Sequence, residues 1–300
     1  MDHFSRRRFL GCCACVSATS VWEPLLARTA KEVPVPPGFD MAYGLVTYQW
    51  GKDWDLPTLI RNCEKAGVAG VELRTTHAHG VEPTLDAKQR AEVKRAFQQS
   101  PVVLVGIGSN ERFDNPDPAV VKKAIEASKA FIRLSHDVGS SGVKVKPDRF
   151  HDNVPHEKTI EQIGKALNEL GEYGAGLGQQ VRLEVHGQCA ALPTIKAIMD
   201  VADDPNVALC WNSNKQDLQG NGLAANYALV KKRFGATCHV RELDSKDYPY
   251  QELINLMVKD DYAGYVMLEA SSQPVDRVAA LRAQVTLFKK MVAAAQKSIS

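Results

Sequence analysis

The stretch Val181–Gly187, VRLEVHG, decides the fold. Val181, Leu183 and Val185 fall on one face of a short strand, Glu184 and His186 on the other, because strand side chains two apart point the same way. A strand that ends by presenting an acid and an imidazole must line a space able to take them. Three later apolar stretches end alike, at Trp211-Asn212, His239-Val240-Arg241 and Leu268-Glu269. Two carboxylates, an amide oxygen and an imidazole make a mixed O/N donor set suited to a divalent ion: manganese, magnesium, cobalt or zinc.

Outward from that stretch, short apolar runs alternate with amphipathic ones. The expected strands are Tyr43–Tyr48, Val68–Arg74, Val102–Gly108, Gly142–Pro147, Val181–His186, Val207–Asn212, Cys238–Leu243 and Tyr265–Ala270. Between and after them the pattern predicts helices at Leu56–Ala66, Asp86–Gln99, Pro118–Val138, Glu157–Tyr173, Leu192–Val201, Gly222–Phe234, Tyr250–Lys259 and Val275–Ala295. Eight strand–helix pairs imply parallel strands with crossover helices, and the count favours a closed α/β (β/α)8 TIM barrel over an open sheet. No GxGxxG follows the first strand, which removes the usual reason to expect a dinucleotide fold. In such barrels the chemistry gathers at the C-terminal strand ends.

The 300 residues suffice for one large barrel domain. A formal charge of +2 gives nucleic acid no footing as a partner. Ser5-Arg6-Arg7-Arg8-Phe9-Leu10 followed by the apolar run to Val21 resembles a twin-arginine export signal. Residues 1–30 are therefore expected to form a signal region and 31–40 a proline-rich linker, with the barrel at 41–300. That resemblance implies the twin-arginine export machinery as a partner and a periplasmic or cell-envelope location in a bacterium. Of seven cysteines, three lie in the signal region, leaving Cys63, Cys189, Cys210 and Cys238. An oxidising compartment permits disulfides. Cys210 and Cys238 nevertheless fall in expected buried strands and read as buried thiols.

Further polar residues sit at strand ends: Glu72 on the second, Lys144 and Lys146 on one face of the fourth, His239 and Arg241 on one face of the seventh. A barrel lumen is normally filled by Val, Ile and Leu, so charge on successive strands needs partners or a metal. A salt bridge accounts for any one such residue. Four metal-type groups on strands five to eight point to a shared site.

The segments LEVHG (Leu183–Gly187), VALCWNSN (Val207–Asn214), HVREL (His239–Leu243) and VMLEAS (Val266–Ser271) resemble the xylose isomerase-like barrel superfamily, in its sugar isomerase and epimerase branch. The resemblance implies a metal held by Glu184, Asn212, His239 and Glu269. The family's strand-six aspartate is Asn212 here, which brings no charge and implies weaker metal binding, with Asp217 a candidate to compensate. Lys215 and Ser245 stand where the ketose 3-epimerases carry a histidine and an arginine, which argues against a close match to them.

What the resemblance implies chemically is a metal-stabilised enediolate of a non-phosphorylated sugar or keto-sugar, with Glu184 and Glu269 as the acid/base pair. Glu72, Lys144, Lys146, His186 and Arg241 are expected to bind substrate. His77 and His79, in a loop above the mouth, read as either substrate contacts or exposed loop residues, and Trp50 and Trp54 as either a sugar-stacking platform or loop packing. The same site suits a keto-sugar or keto-glycoside lyase or dehydratase, and Asn212 raises the alternative of a non-catalytic carbohydrate-binding barrel. The related endonuclease IV type would need more histidines at the strand ends.

Overall fold

A computed structural model describes residues 40–299. The signal region and nearly all of the linker expected from the sequence lie outside them. Eight strands, β1 (Ala42–Val46), β2 (Gly70–Arg74), β3 (Val103–Arg112), β4 (Gly142–Lys146), β5 (Gln180–Glu184), β6 (Val207–Cys210), β7 (Thr237–Val240) and β8 (Tyr265–Leu268), form one sheet. Every ladder is parallel, in the order β6-β5-β4-β3-β2-β1-β8-β7. The cylinder closes between β6 and β7 through two single bridges, Leu209 with Phe234 and Asn212 with His239.

The helices are α1 (Leu56–Ala66), α2 (Ala87–Gln98), α3 (Pro118–Asp137), α4 (His156–Ala175), α5 (Leu192–Val201), α6 (Gly222–Val230), α7 (Tyr250–Lys259) and α8 (Arg277–Ile299). Their ends are written locally. Asp55 accepts the Thr58 N–H at the start of α1, Gly67 turns the chain left-handed at φ 75° after it, and Asp86 with Gln89 caps α2 reciprocally. Each such cap contributes about 1 kcal/mol. Val71, Leu73, Val143, Val145, Val181 and Leu183 face these helices and are buried. No described helix is long and apolar enough to cross a membrane.

Several element bounds differ from expectation. Strands β5 to β8 stop earlier, at Glu184, Cys210, Val240 and Leu268, because strands splay at a barrel mouth. His186, Asn212, Arg241 and Glu269 therefore lie just past the strand ends, Asn212 within the bridge to His239. The sixth helix ends at Val230, with a 3₁₀ turn over Lys231–Arg233. Strand β3 runs on to Arg112 past a register break between Gly108 and Arg112.

Opposite strand parity fills the lumen unusually. Glu72, Lys144, Arg182, Glu184 and His239 all point inward and are at most 2% exposed. Room for them comes from β3, where a Cβ on Gly106 would stand 3.0 Å from an Arg182 nitrogen and one on Gly108 3.0 Å from Glu72 Oε1. At Gly142 a Cβ would overlap the Gln180 carbonyl oxygen and lie 3.1 Å from Arg182 Cζ. Gly142→Ala should therefore cost about 1–3 kcal/mol by overpacking, read as a lower urea midpoint at unchanged slope.

Candidate active site

Five side chains from four strands make a continuous buried ionic column. Glu184 takes the Lys144 ammonium on Oε2 at 2.8 Å and the Asn212 side-chain amide on Oε1 at 2.8 Å. His239 stands between two acids, with Nε2 3.2 Å from Glu72 and Nδ1 3.5 Å from Glu184. Below them Arg182 donates to the Val105 carbonyl, Ser141 and Gln180.

The charges hold one another in place. Burial pushes Glu184 toward protonation, but Lys144 and His239 outweigh it and hold the carboxyl well below its usual range. Glu72 is lowered likewise, against burial, by His239, Lys144 and Arg182. Burial lowers Lys144, yet Glu184, Glu72 and Glu269 raise its pKa overall. Burial also works against an imidazolium at His239, and the surrounding Cys210, Glu72 and Glu184 reverse it, so its pKa stands well above the usual value. In a low-dielectric lumen such groups persist only as a balanced set.

Above the column, Glu269 is half-buried at the end of β8. The backbone N–H groups of Ser271 and Ser272, just beyond it, donate to Glu242. One ligand atom from each of Glu184, His239 and Glu269 lies within 4.8 Å of the others. Asn212 adjoins this trio through its backbone bridge to His239 and its side-chain bond to Glu184. An amide's N and O exchange places by a half-turn of the side chain, so a cation would draw the oxygen inward where a carboxylate alone draws the N–H₂. The donor set fits a divalent ion: both His239 nitrogens and Glu184 Oε2 are buried without an aligned hydrogen bond, and two carboxylates supply the charge.

The other expected residues take distinct places. Lys146 ends β4 on the same parity as Lys144 and is 6% exposed. His186 is half-buried at the mouth, its Nδ1 3.1 Å from Asp148 Oδ1. Asp148 itself adopts φ 66°, and its carbonyl packs so tightly on Gly187, at φ 68°, that no Cβ would fit there. Glu72 lies behind His239 at zero exposure, so it orients the imidazole and does not face open space. Arg241 is exposed and lines a neighbouring cleft of about 510 Å³ with Ser213, Lys215, Ser245 and Ser271. The two positions that depart from the ketose 3-epimerase pattern thus share that cleft.

Some loop residues are spoken for structurally. Asp217 is buried, accepting from the Tyr248 hydroxyl at 2.7 Å and the Asn214 N–H at 2.9 Å, and is not among the converging donors. Burial pushes its pKa up to about 7. His79 is buried rather than exposed, contacting the Arg74 carbonyl and the Val81 N–H, while His77 meets Thr47. Trp50 and Trp54 are buried loop packing: Trp50 donates to the Ser272 carbonyl and Arg277 covers the Trp54 ring. Neither indole is free to stack on a sugar. Cys63, Cys189, Cys210 and Cys238 are buried free thiols.

A family model described as xylose isomerase-like TIM barrel matches residues 60–291. The chain belongs to that family. No curated protein matches it by sequence. Among solved structures, 3-keto-D-glucoside 4-epimerase from E. coli in its apo form is similar at TM-score 0.70 and 15% identity, over 83% of this chain and 99% of that one. An L-ribulose 3-epimerase is similar at TM-score 0.73 and 15% identity, over 86% and 97%. The IOLI protein with a bound zinc atom gives 0.68 and 15%, over 85% and 99%. At such identities the likeness shows the barrel, and the xylose isomerase-like assignment rests on the family match.

Glu72 and Asn212 bracket the candidate metal ligands, and substitution separates their parts. Glu72→Gln should weaken manganese binding roughly 10–100-fold, as removal of a ligand's orienting partner does. Asn212→Asp should tighten it by adding charge. Both are read by calorimetric titration of metal into the purified protein, and an unchanged affinity in Asn212→Asp would remove that residue from the ligand set.

Proposed function

We propose that the chain is a divalent-metal-dependent isomerase or epimerase of a non-phosphorylated sugar or keto-sugar. One observation carries the reading: Glu184, His239 and Glu269, from three strands, bring ligand atoms within 4.8 Å of one another at the C-terminal mouth of the barrel. The epimerases among its structural neighbours support the same reading. Its twin-arginine-like segment supports an exported enzyme, which favours a substrate without phosphate.

Glu184, His239 and Glu269 would hold the ion, with Asn212 as a fourth, neutral ligand. Bound there, the ion supplies Lewis-acid polarisation of a carbonyl and its neighbouring hydroxyl. Every proton is then moved by the chain itself. Glu269, half-buried and facing the mouth, takes the proton from the carbon beside the carbonyl. The charge that develops on oxygen is met by Lys144 and by His186, whose ring Asp148 holds in orientation. Glu184 serves the opposite side: the proton it delivers to carbon is taken from the Lys144 ammonium, 2.8 Å from its Oε2, and Lys144 is recharged by the proton that Glu269 releases to water at the mouth. Return of the proton to the same carbon from the other face epimerises; return to the adjacent carbon interconverts aldose and ketose. No group is oxidised overall, so no redox cofactor is required.

A lyase would start from the same enediolate and expel a substituent from the next carbon. Proton NMR in heavy water separates the outcomes. Isomerase or epimerase activity exchanges one C–H for deuterium with all oxygens retained, whereas a lyase releases a leaving group. Glu269→Gln should lower the exchange rate by about 10²–10⁴-fold with an unchanged circular dichroism spectrum. Exchange at the wild-type rate in that variant would take Glu269 out of the reaction, and an absence of exchange across a metal-loaded sugar panel would favour the binding barrel.

A further inference from the structure

We propose that the substrate of this site carries a carboxylate, bound at the barrel mouth by Lys146 and Arg74, so that the preferred ligand is a sugar acid and not a neutral sugar. The inference rests on the isomerase reading for the site's location and goes beyond it in naming the substrate class.

Lys146 and Arg74 end strands β4 and β2 on the same inward parity as Lys144 and Glu72. Below them each buried acid has an opposite neighbour: Glu184 has Lys144, and Glu72 has His239. One layer higher the pattern breaks. Lys146 is 6% exposed, and among the described residues neither it nor Arg74 forms an ion pair with a carboxylate. Arg74 lies over the Tyr48 ring at 4.6 Å, which fixes its guanidinium plane, and its side chain has one long bond, 3.4 Å, to Asn110.

Several acids of the surrounding loops are committed elsewhere. Asp148 is taken by Arg112 and His186, Glu82 by Thr75 and the Thr76 N–H, and Glu242 by Ser271 and Ser272. Glu184 and Glu269 belong to the candidate metal site, and an ion bound there would leave Lys146 and Arg74 without any counter-charge. Burial first, then Lys144 and Arg74, depress the Lys146 ammonium, against the opposing pull of Glu184 and Glu269. A buried ammonium without a partner costs several kcal/mol unless a ligand supplies the anion. A planar guanidinium and an ammonium that end β2 and β4 on the same inward parity suit the two oxygens of a carboxylate.

The test is calorimetry on the manganese-loaded protein with D-glucuronate, D-glucose and D-glucose 6-phosphate as probes. Glucuronate should bind about ten-fold or more tightly than glucose, the increment of one charge-assisted contact. That ratio should fall toward one in Lys146→Met and drop in Arg74→Gln, a half-buried position whose replacement leaves the lumen intact. Equal binding of acid and neutral sugar, a ratio retained in both variants, tighter binding of the phosphate, or binding of none of the three overturns the assignment. Deuterium exchange keeps the two readings apart. Exchange into D-fructose with no preference for D-fructuronate removes the carboxylate and keeps the isomerase, while tight fructuronate binding without exchange does the reverse.

Discussion

The structure depends on charge balance inside a closed cylinder. An ordinary barrel fills its lumen with branched aliphatic side chains and lets the interior exclude water. Here Glu72, Lys144, Arg182, Glu184 and His239 occupy it at almost no exposure, and each is tolerable only because the next one is present. Breaking such a buried pair by removing one partner costs several kcal/mol, far more than a surface pair returns. The column therefore fixes side-chain positions rigidly beneath the mouth, which is what a metal centre or an acid/base pair needs from its support.

Steric asymmetry makes that column possible. Strand β3 gives up side chains at Gly106 and Gly108, and the long polar chains of β2, β4 and β5 reach into the vacated volume. A cylinder packed evenly by medium-sized residues would leave neither the length nor the freedom for Arg182 to cross to the Val105 carbonyl. Small residues on one wall and extended ionic ones on the other thus replace the usual layers of Val, Ile and Leu.

Sequence alone carried the barrel and the four strand ends because both rest on short-range rules. Strand parity placed Glu184 inward, and the alternation of apolar runs counted eight units. The same parity, applied two residues earlier on β5, marks Arg182 as inward too. What parity does not encode is depth. It could not separate Glu72, which lies behind His239, from a substrate-facing acid, nor show that Arg241 opens on the adjoining cleft. Asp148 was hidden for another reason: its role depends on a left-handed backbone at residue 148 pressed against Gly187, a loop contact with no period to reveal it. Trp50 and Trp54 were ambiguous because exposed and buried indoles look alike in a sequence.

The donors also sit at the one joint where the sheet is thinnest. Seven neighbouring strand pairs share ladders, whereas β6 and β7 meet at single bridges, and one of those bridges is Asn212 with His239. The backbone bonds of His239 to Trp211 and of Ser213 to His239 complete the closure there. Across the same joint, His239 of β7 stands 3.5 Å from Glu184 of β5, which also accepts from Asn212, and leans on Glu72 of β2 behind it. Side chains therefore do at this seam what backbone ladders do elsewhere, and they are the side chains that converge on the candidate metal position. A cation drawing Glu184, His239 and Glu269 together would tie β5, β7 and β8 across the weakest junction of the cylinder. Binding and closure are then linked, since an ion that prefers the closed arrangement stabilises it by the difference in its binding free energy between the closed and the open one.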